Sequence, residues 1–457
     1  EKRKRMLERK RKLDCANGRE KADLVLKNGN VLNVFTEEVL KADVAICGDT
    51  IVGVGEYEGK EEIDCTGKYL VPGFIDAHMH IESCMAAPGE LAKVLAKAGT
   101  TTIIADPHEI VNVSGTKGMD YFLKCAAKLL VNVFFMVPSA VPATDVETNG
   151  CGEFLASDMM KYVDNARVLG LGETMRFMEC CEGEKRMADK LELFAKKHID
   201  GHAPGIRGKE VQAYRLAGVE NDHECSTAEE VLDKLRAGLH IYVREGSGAK
   251  NLETLIKTML DAGVCLDRCA FCTDDKHVEE IRKEGHISTC IRKAIALGVP
   301  VAKAYKMGSY QAAEFYGLKN YGAIGAGYRA DIVFLDDLEQ VRPLDVMKDG
   351  RILTEEDYAK DYSVPVPDEL LHTVHVGEVT KEKIRLSCDG SDTDEPAPDR
   401  DHASGGGSAG RKRIFQTGWC IQQDLRGRAS WKDRGDRCCA AERVWRQRRR
   451  SGDFRCT

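Results

Sequence analysis

His78 and His80, one residue apart in Val71-Pro-Gly-Phe-Ile-Asp-Ala-His-Met-His80, could offer two imidazoles to one transition metal. A short apolar run behind a Pro-Gly turn reads as a buried β-strand. On a strand, residues i and i+2 project from one face, so both rings converge while Met79 points away. Such a pair is half of a metal site. A satisfied pair of core histidines is the plainer explanation of a lone His-x-His. What favours a metal is that Glu173, His202, His223 and Asp274 each end a strand-like segment of their own. Taken singly, Glu173 could be a carboxylate at a helix N-terminus, His202 a loop cap in Gly-His-Ala-Pro, and His223 a surface residue. Taken together, four histidines and two carboxylates suit two divalent ions with Glu173 bridging them. Ions ~3.5–4 Å apart share a hydroxide and lower the pKa of bound water toward ~7. That nucleophile attacks an amide carbonyl or the ring carbon of an aminopurine. Asp274 is placed to take the water's proton and hand it to a ring nitrogen or leaving group, as general base and then general acid.

Positioning those groups requires a particular scaffold. Between about residues 71 and 316, short apolar strands alternate with helix-length segments. The strand candidates are Phe74–His78, Thr101–Asp106, Val131–Val137, Arg167–Glu173, His198–His202, Val219–His223, Leu239–Arg244 and Arg268–Asp274. Eight such units predict an α/β fold, a (β/α)8 TIM-type barrel whose functional residues lie at the C-terminal strand ends. Before it, β-branched runs with Gly/Asn turns predict a small antiparallel sheet. Similar runs return after it, in Ala330–Leu335 and Val346–Leu353. The expected division is therefore a charged N-terminal helix over 1–22 and a composite β-sandwich from 23–70 plus 317–365. The barrel occupies 71–316, and a linker and aberrant tail occupy 366–457.

Composition narrows the function classes. A net charge of −7 over 457 residues suggests no nucleic-acid partner for the whole chain. The charged first twenty residues read as a solvated helix, with a nucleic-acid arm as the alternative. No apolar stretch reaches the ~18 residues a membrane span needs. Eighteen cysteines lie scattered without a framework or a secretory pattern, so a reducing cytoplasm is expected. Cys269-Ala-Phe-Cys272 sits in an apolar run with no second pair, and reads as buried strand thiols rather than zinc or redox ligands.

The motif Pro72-Gly-Phe-Ile-Asp-Ala-His-Met-His80 resembles the metal-dependent amidohydrolase superfamily and, within it, the bacterial adenine deaminases. The blocks that carry the closer resemblance run in chain order over about residues 22–365 and include Gly99–Ile110, Val133–Thr144, Leu169–Met175, Asp200–Gly205, Asp222–Cys225, Arg244–Asn251 and Phe271–Asp275. The resemblance implies hydrolytic deamination of adenine to hypoxanthine and ammonia. It implies two divalent metal ions, Mn2+ first, with Fe2+ or Zn2+ as alternatives. It also supports Glu173 as the bridge, because no lysine lies within Val168–Glu173 to be carboxylated as in many relatives. Asp106, His108 and Glu109 read as groups behind the ligands or beside the substrate, with ligation of a further metal as the alternative. Glu82 could orient a ligand imidazole. Arg244 and Glu245 could contact the base, or form a surface ion pair. A homodimer is left open, as are another cyclic amidohydrolase and a truncated, inactive homologue.

The chain departs from that pattern near its end. From Arg411 to Thr457 there are 14 Lys/Arg against 5 Asp/Glu, all three tryptophans and four cysteines. The segment has no apolar periodicity. A nucleic-acid tail is one reading. Out-of-frame translation of a further domain is the other, because GC-rich codons read out of register give excess Arg, Gly, Cys and Trp. Disorder is expected there.

Overall fold

The structure, a computed structural model, describes residues 2–145, 147, 149–373, 377, 378, 380, 413–416, 419–423 and 429–430. The chain divides into Glu1–Leu371 and His372–Thr457. The first unit opens with the helix Lys2–Ala16, whose Met6, Leu7 and Leu13 are exposed and whose Cys15 is buried. Arg11 pairs with Glu20 and Asp23.

Five strands follow: β1 (Ala22–Asn33), β2 (Glu38–Cys47), β3 (Thr50–Gly55), β4 (Gly59–Asp64) and β5 (Tyr69–Pro72). The central strands are β6 (Phe74–Met79), β7 (Thr100–Ala105), β8 (Asn132–Val137), β9 (Val168–Leu171), β10 (His198–Ile199), β11 (Asn221–Asp222), β12 (His240–Arg244) and β13 (Cys269–Cys272). Last come β14 (Ile332–Leu335), β15 (Asp345–Lys348) and β16 (Arg351–Ile352). The early and late strands are hydrogen-bonded into one eight-stranded sheet, in the order β16-β15-β14-β5-β1-β2-β3 with β4 also on β1. The expectation of a purely antiparallel early sheet needs correcting, because β4 and β5 run parallel to β1. The register of β1 shifts between Leu26 and Gly29. Its first half can therefore pair with β4 while its second half pairs with β5.

The central strands are parallel. β6 to β10 lie side by side in sequence order, as do β11 to β13. Between the two groups the Glu220 amide donates to the Ile199 carbonyl at 3.0 Å. At the other junction a parallel bridge joins Met79 to Asp274. One apolar cluster draws Ile75, Ile104, Met136, Tyr242 and Cys272 from five of these strands. This is the arrangement of a TIM-type barrel. β10 and β11 are only two residues long, and a side chain at Gly201 would lie 2.1 Å from the Asn221 carbonyl oxygen. Glycine at that point lets the loop bearing His202 pass beside β11.

Cys269 and Cys272 are both buried and free. No described helix is long and apolar enough to cross a membrane. In the second unit the described residues form two antiparallel pairings, Arg413–Gln416 with Trp419–Gln423 and the latter with Ala429–Ser430. The expected disorder otherwise falls outside the described residues.

Candidate metal centre

The ends of β6 and β13 are tied by one buried carboxylate. Asp76 Oδ1 accepts from the His78 amide at 3.1 Å and the Thr273 amide at 3.2 Å. Its Oδ2 accepts from Thr273 Oγ1 at 2.6 Å and lies 3.1 Å from His286 Nε2. Immediately beyond, the His80 amide donates to the Asp274 carbonyl and the Asp274 amide to the His78 carbonyl. Asp274 has φ of 57°, a left-handed conformation that aspartate tolerates better than most residues. The turn brings its carboxylate back to the strand end it has just bridged.

The six expected ligands are brought together. His78 Nε2 and His80 Nε2 lie 3.2 Å apart, and Asp274 Oδ1 is 3.0 Å from His80 Nε2. Glu173, just beyond β9, has Oε1 3.5 Å from His80 Nε2. Its Oε2 is 2.5 Å from His202 Nδ1 and 3.2 Å from His223 Nε2. Glu173 therefore faces both histidine pairs. All but His202 are buried, and at 1 % side-chain exposure His223 is no surface residue.

This geometry makes poor sense as a self-contained hydrogen-bond network. The His80 Nδ1–H donates to the Asp106 carbonyl at 2.8 Å, a tautomer inferred from that contact. The Nε2 lone pair then points toward another imidazole nitrogen and a carboxylate oxygen. His223 Nε2 is buried with no hydrogen-bond partner among the described residues. A proton on one nitrogen would serve one contact, whereas a divalent cation would serve several. Asp274 and Glu173 are also held well below the ordinary carboxylate range. Burial opposes their charge, but Arg244 and His80 outweigh it at Asp274, and His202 and His108 do so at Glu173. Ionised carboxylates and imidazole nitrogens are the donor set that divalent ions require.

The outer groups fall in three places. Asp106 Oδ2 accepts from the Glu173 amide at 2.8 Å, an approach that Gly172 permits, since a side chain there would meet that oxygen at 2.1 Å. His108 and Glu109 lie beside it, with His108 Nδ1 3.2 Å from Glu173 Oε1. Burial pushes the Asp106 carboxyl up to about 7. Burial works against charge on His108, but Glu109 and Glu173 raise it to about 10. Glu82 makes no hydrogen bond to a ligand imidazole; its Oε1 accepts from the Ile110 amide at 3.0 Å.

Arg244 is not a surface ion pair. It is buried, and donates to Asp274 Oδ2 at 2.7 Å, to Asn251 Oδ1 at 3.2 Å and to Glu224. Glu245 is paired with Lys293 at 2.6 Å. Glu224 was not anticipated from the sequence, yet its Oε1 lies 3.6 Å from His223 Nε2 and 3.8 Å from His202 Nδ1. Neighbours on a strand face opposite ways. Because β11 ends at Asp222, His223 and Glu224 lie on a loop and can converge.

Comparison with known proteins places the chain in a family. The model of the amidohydrolase family matches residues 69–353. The chain is 47% identical over 370 residues to the adenine deaminase of Desulfitobacterium hafniense, covering 81% of this chain and 64% of that protein. It is 44% identical over 382 residues to the adenine deaminase of Clostridium acetobutylicum, covering 83% and 66%. It thus spans just under two thirds of those relatives' length. Among solved structures, an adenine deaminase matches with a TM-score of 0.54 at 18% identity, covering 73% of this chain and 99% of that one. The β-aspartyl dipeptidase of Fervidobacterium islandicum matches with a TM-score of 0.55 at 18% identity, covering 73% and 96%. At that identity the two structures speak to the fold alone.

Proposed function

The chain belongs to the amidohydrolase family, and on that premise we propose that it hydrolyses adenine to hypoxanthine and ammonia at a two-cation centre. The observation that carries the reading is the gathering of six groups, Glu173 among them, from five strand ends, in a chain 47% identical to an adenine deaminase. His78, His80 and Asp274 would hold one cation, His202 and His223 the other, with Glu173 shared. The family resemblance favours Mn2+, with Fe2+ or Zn2+ as alternatives, and mixed imidazole and carboxylate donors accept all three.

When bound, the cations supply Lewis acidity that makes water a nucleophile near neutral pH. The protein's own groups supply the proton traffic. Asp274 Oδ1 takes the proton of the attacking water and returns it to the purine as ammonia leaves. Arg244, fixed on Asp274 Oδ2, keeps that carboxylate from rotating away. Arg244 thereby acts through Asp274 rather than on the base.

The same reading includes a barrel of eight βα units with a flanking β-sandwich. The described free cysteines suit a reducing compartment such as the cytoplasm. The test is an absorbance assay for hypoxanthine coupled to ammonia release, on Mn2+-loaded protein with the metal counted by elemental analysis. Turnover of adenine that is lost in His78→Ala and His202→Ala together with the metal supports the proposal. Hydrolysis of a cyclic amide without ammonia release from adenine would move the chain to another cyclic amidohydrolase. Full metal content with no turnover on any aminopurine would identify an inactive homologue.

A further inference from the structure

The six expected ligands divide unevenly between the two cations. The first would have His78, His80 and a carboxylate of its own, Asp274, whereas the second would have His202 and His223 with the shared Glu173 alone. Glu224 stands where a matching carboxylate would be. The donor atoms of His202, His223 and Glu224 all lie within 4.8 Å of one another, as do those of His78, His80 and Asp274. Glu224 Oε1 is 3.6 Å from His223 Nε2 and 3.8 Å from His202 Nδ1. Asp274 Oδ1 is 3.0 Å from His80 Nε2 and 3.8 Å from His78 Nε2. Both sets of distances fall between the ~3 Å and ~4.2 Å that separate adjacent and opposite donors around a cation with ~2.1 Å bonds.

The chain builds this approach locally. β11 ends at Asp222, whose Oδ1 accepts from the Glu224 amide at 2.9 Å, and the turn so made aims two consecutive side chains at one centre. Arg244 repeats the parallel. Its Nη1 donates to Asp274 Oδ2 at 2.7 Å and to Glu224 Oε1, and its Nη2 donates to Glu224 Oε2 at 3.2 Å. That contact does not use up Glu224, because an ionised carboxylate has about four lone-pair sites and ligating carboxylates are themselves hydrogen-bonded. Asp274 stands in the same relation to the same nitrogen. We propose that Glu224 is the terminal carboxylate ligand of the second cation, and that Arg244 spans the two terminal carboxylates of the pair. The inference rests on the two-cation reading above.

The experiment counts metal, not turnover. The full chain is stripped with a chelator and titrated with Mn2+, with bound manganese measured by elemental analysis and the exchange-coupled pair by electron paramagnetic resonance. The parent protein should take up two equivalents and give the coupled spectrum. Glu224→Gln keeps an oxygen that accepts from Arg244 but removes the charge. It should hold the first equivalent as the parent does and bind the second at least about tenfold more weakly, the loss that even a group behind a ligand brings. At matched loading the coupled spectrum should give way to that of isolated Mn2+. Arg244→Met separates ligation from support: it should keep the second equivalent, because Glu224 is still there to bind it. If Arg244→Met fails to fold, the first equivalent in Glu224→Gln carries that distinction. An unweakened second equivalent in Glu224→Gln, a first equivalent weakened as much as the second, or loss of the second in Arg244→Met would overturn the ligand and leave the two-cation reading intact. Fewer than two equivalents in the parent protein would overturn both.

Discussion

Removing the Lys234 ammonium tests how the second half of the centre is held. Lys234 and Asp222 are both 0 % exposed, with Nζ 2.8 Å from Asp222 Oδ1. Nζ also donates to the Ala203 carbonyl at 2.8 Å. Asp222 accepts from the Ala203 and Glu224 amides, each at 2.9 Å. One ion pair therefore sutures the loop carrying His202 to the loop carrying His223. Burial opposes charge on Lys234, but Asp222 and Cys225 overcome it and push the ammonium up to about 12, so the pair stays ionised at neutral pH. Lys234→Met strands a buried carboxylate, and breaking such a pair by removing one partner costs about 3–5 kcal/mol. That is a large share of the ~5–15 kcal/mol that holds a domain folded. Urea denaturation of metal-free protein reads the loss directly. Lys234→Met combined with Asp222→Asn should be less damaging than the two single losses added together, since the stranded charge is gone. Bound Mn2+ should fall in Lys234→Met at the His202 and His223 site first, with the His78 and His80 cation retained. A loss below ~1 kcal/mol in the single variant would refute the suture.

Three further outcomes follow from the same contacts. Lys190 is buried with Nζ 2.6 Å from the Ser139 carbonyl; burial, then Arg186 and Arg176, lower it to about 8. The unfolded chain then binds more protons between about pH 8 and 10.5, so this residue's contribution to stability rises with pH across that window and is flat below it. The difference in unfolding free energy between the parent protein and Lys190→Met should change by about 3 kcal/mol between pH 7 and 11, as read by urea titration. Asp76→Asn keeps the shape but replaces an acceptor facing Thr273 and His286 with a donor. It should cost about 2 kcal/mol and lower the affinity for the first cation, with a shift in the manganese binding curve as the check. Chelation should lower the melting temperature and added Mn2+ should restore it, because an ion at a hundred times its dissociation constant stabilises the folded state by about 2.7 kcal/mol. A melting curve indifferent to both would argue against any bound metal.

The parts legible in the sequence are those fixed by period and by element ends. His78 and His80 share a face because a strand repeats every two residues, and Asp274, Glu173, His202 and His223 were readable because each ends a short strand-like segment between helix-length stretches. What was not legible depends on groups distant in sequence. Arg244 read either as a group beside the substrate or as a surface ion pair, and only the packing of β12 against β13 and the Glu224 loop shows it buried on Asp274 and Glu224. Glu224 was hidden by the strand rule itself, since that rule lapses where a strand ends after two residues. The parallel placement of β4 and β5 was equally out of reach: β-branched runs announce strands, while their direction follows from which half of a twelve-residue strand they join.

A charge count explains why Arg244 alone cannot satisfy this mouth. Asp106, Glu109, Glu173, Glu224 and Asp274 crowd around the four histidines, and Arg244 is the one guanidinium that touches them among the described contacts. With His108, raised to about 10, counted as a second cation and the four ligand imidazoles neutral, the five carboxylates exceed the cations by three charges. Two divalent ions would offset that excess. Burying so many carboxylates without counter-ions would oppose folding, so their convergence at one set of strand ends is itself an electrostatic argument for metal.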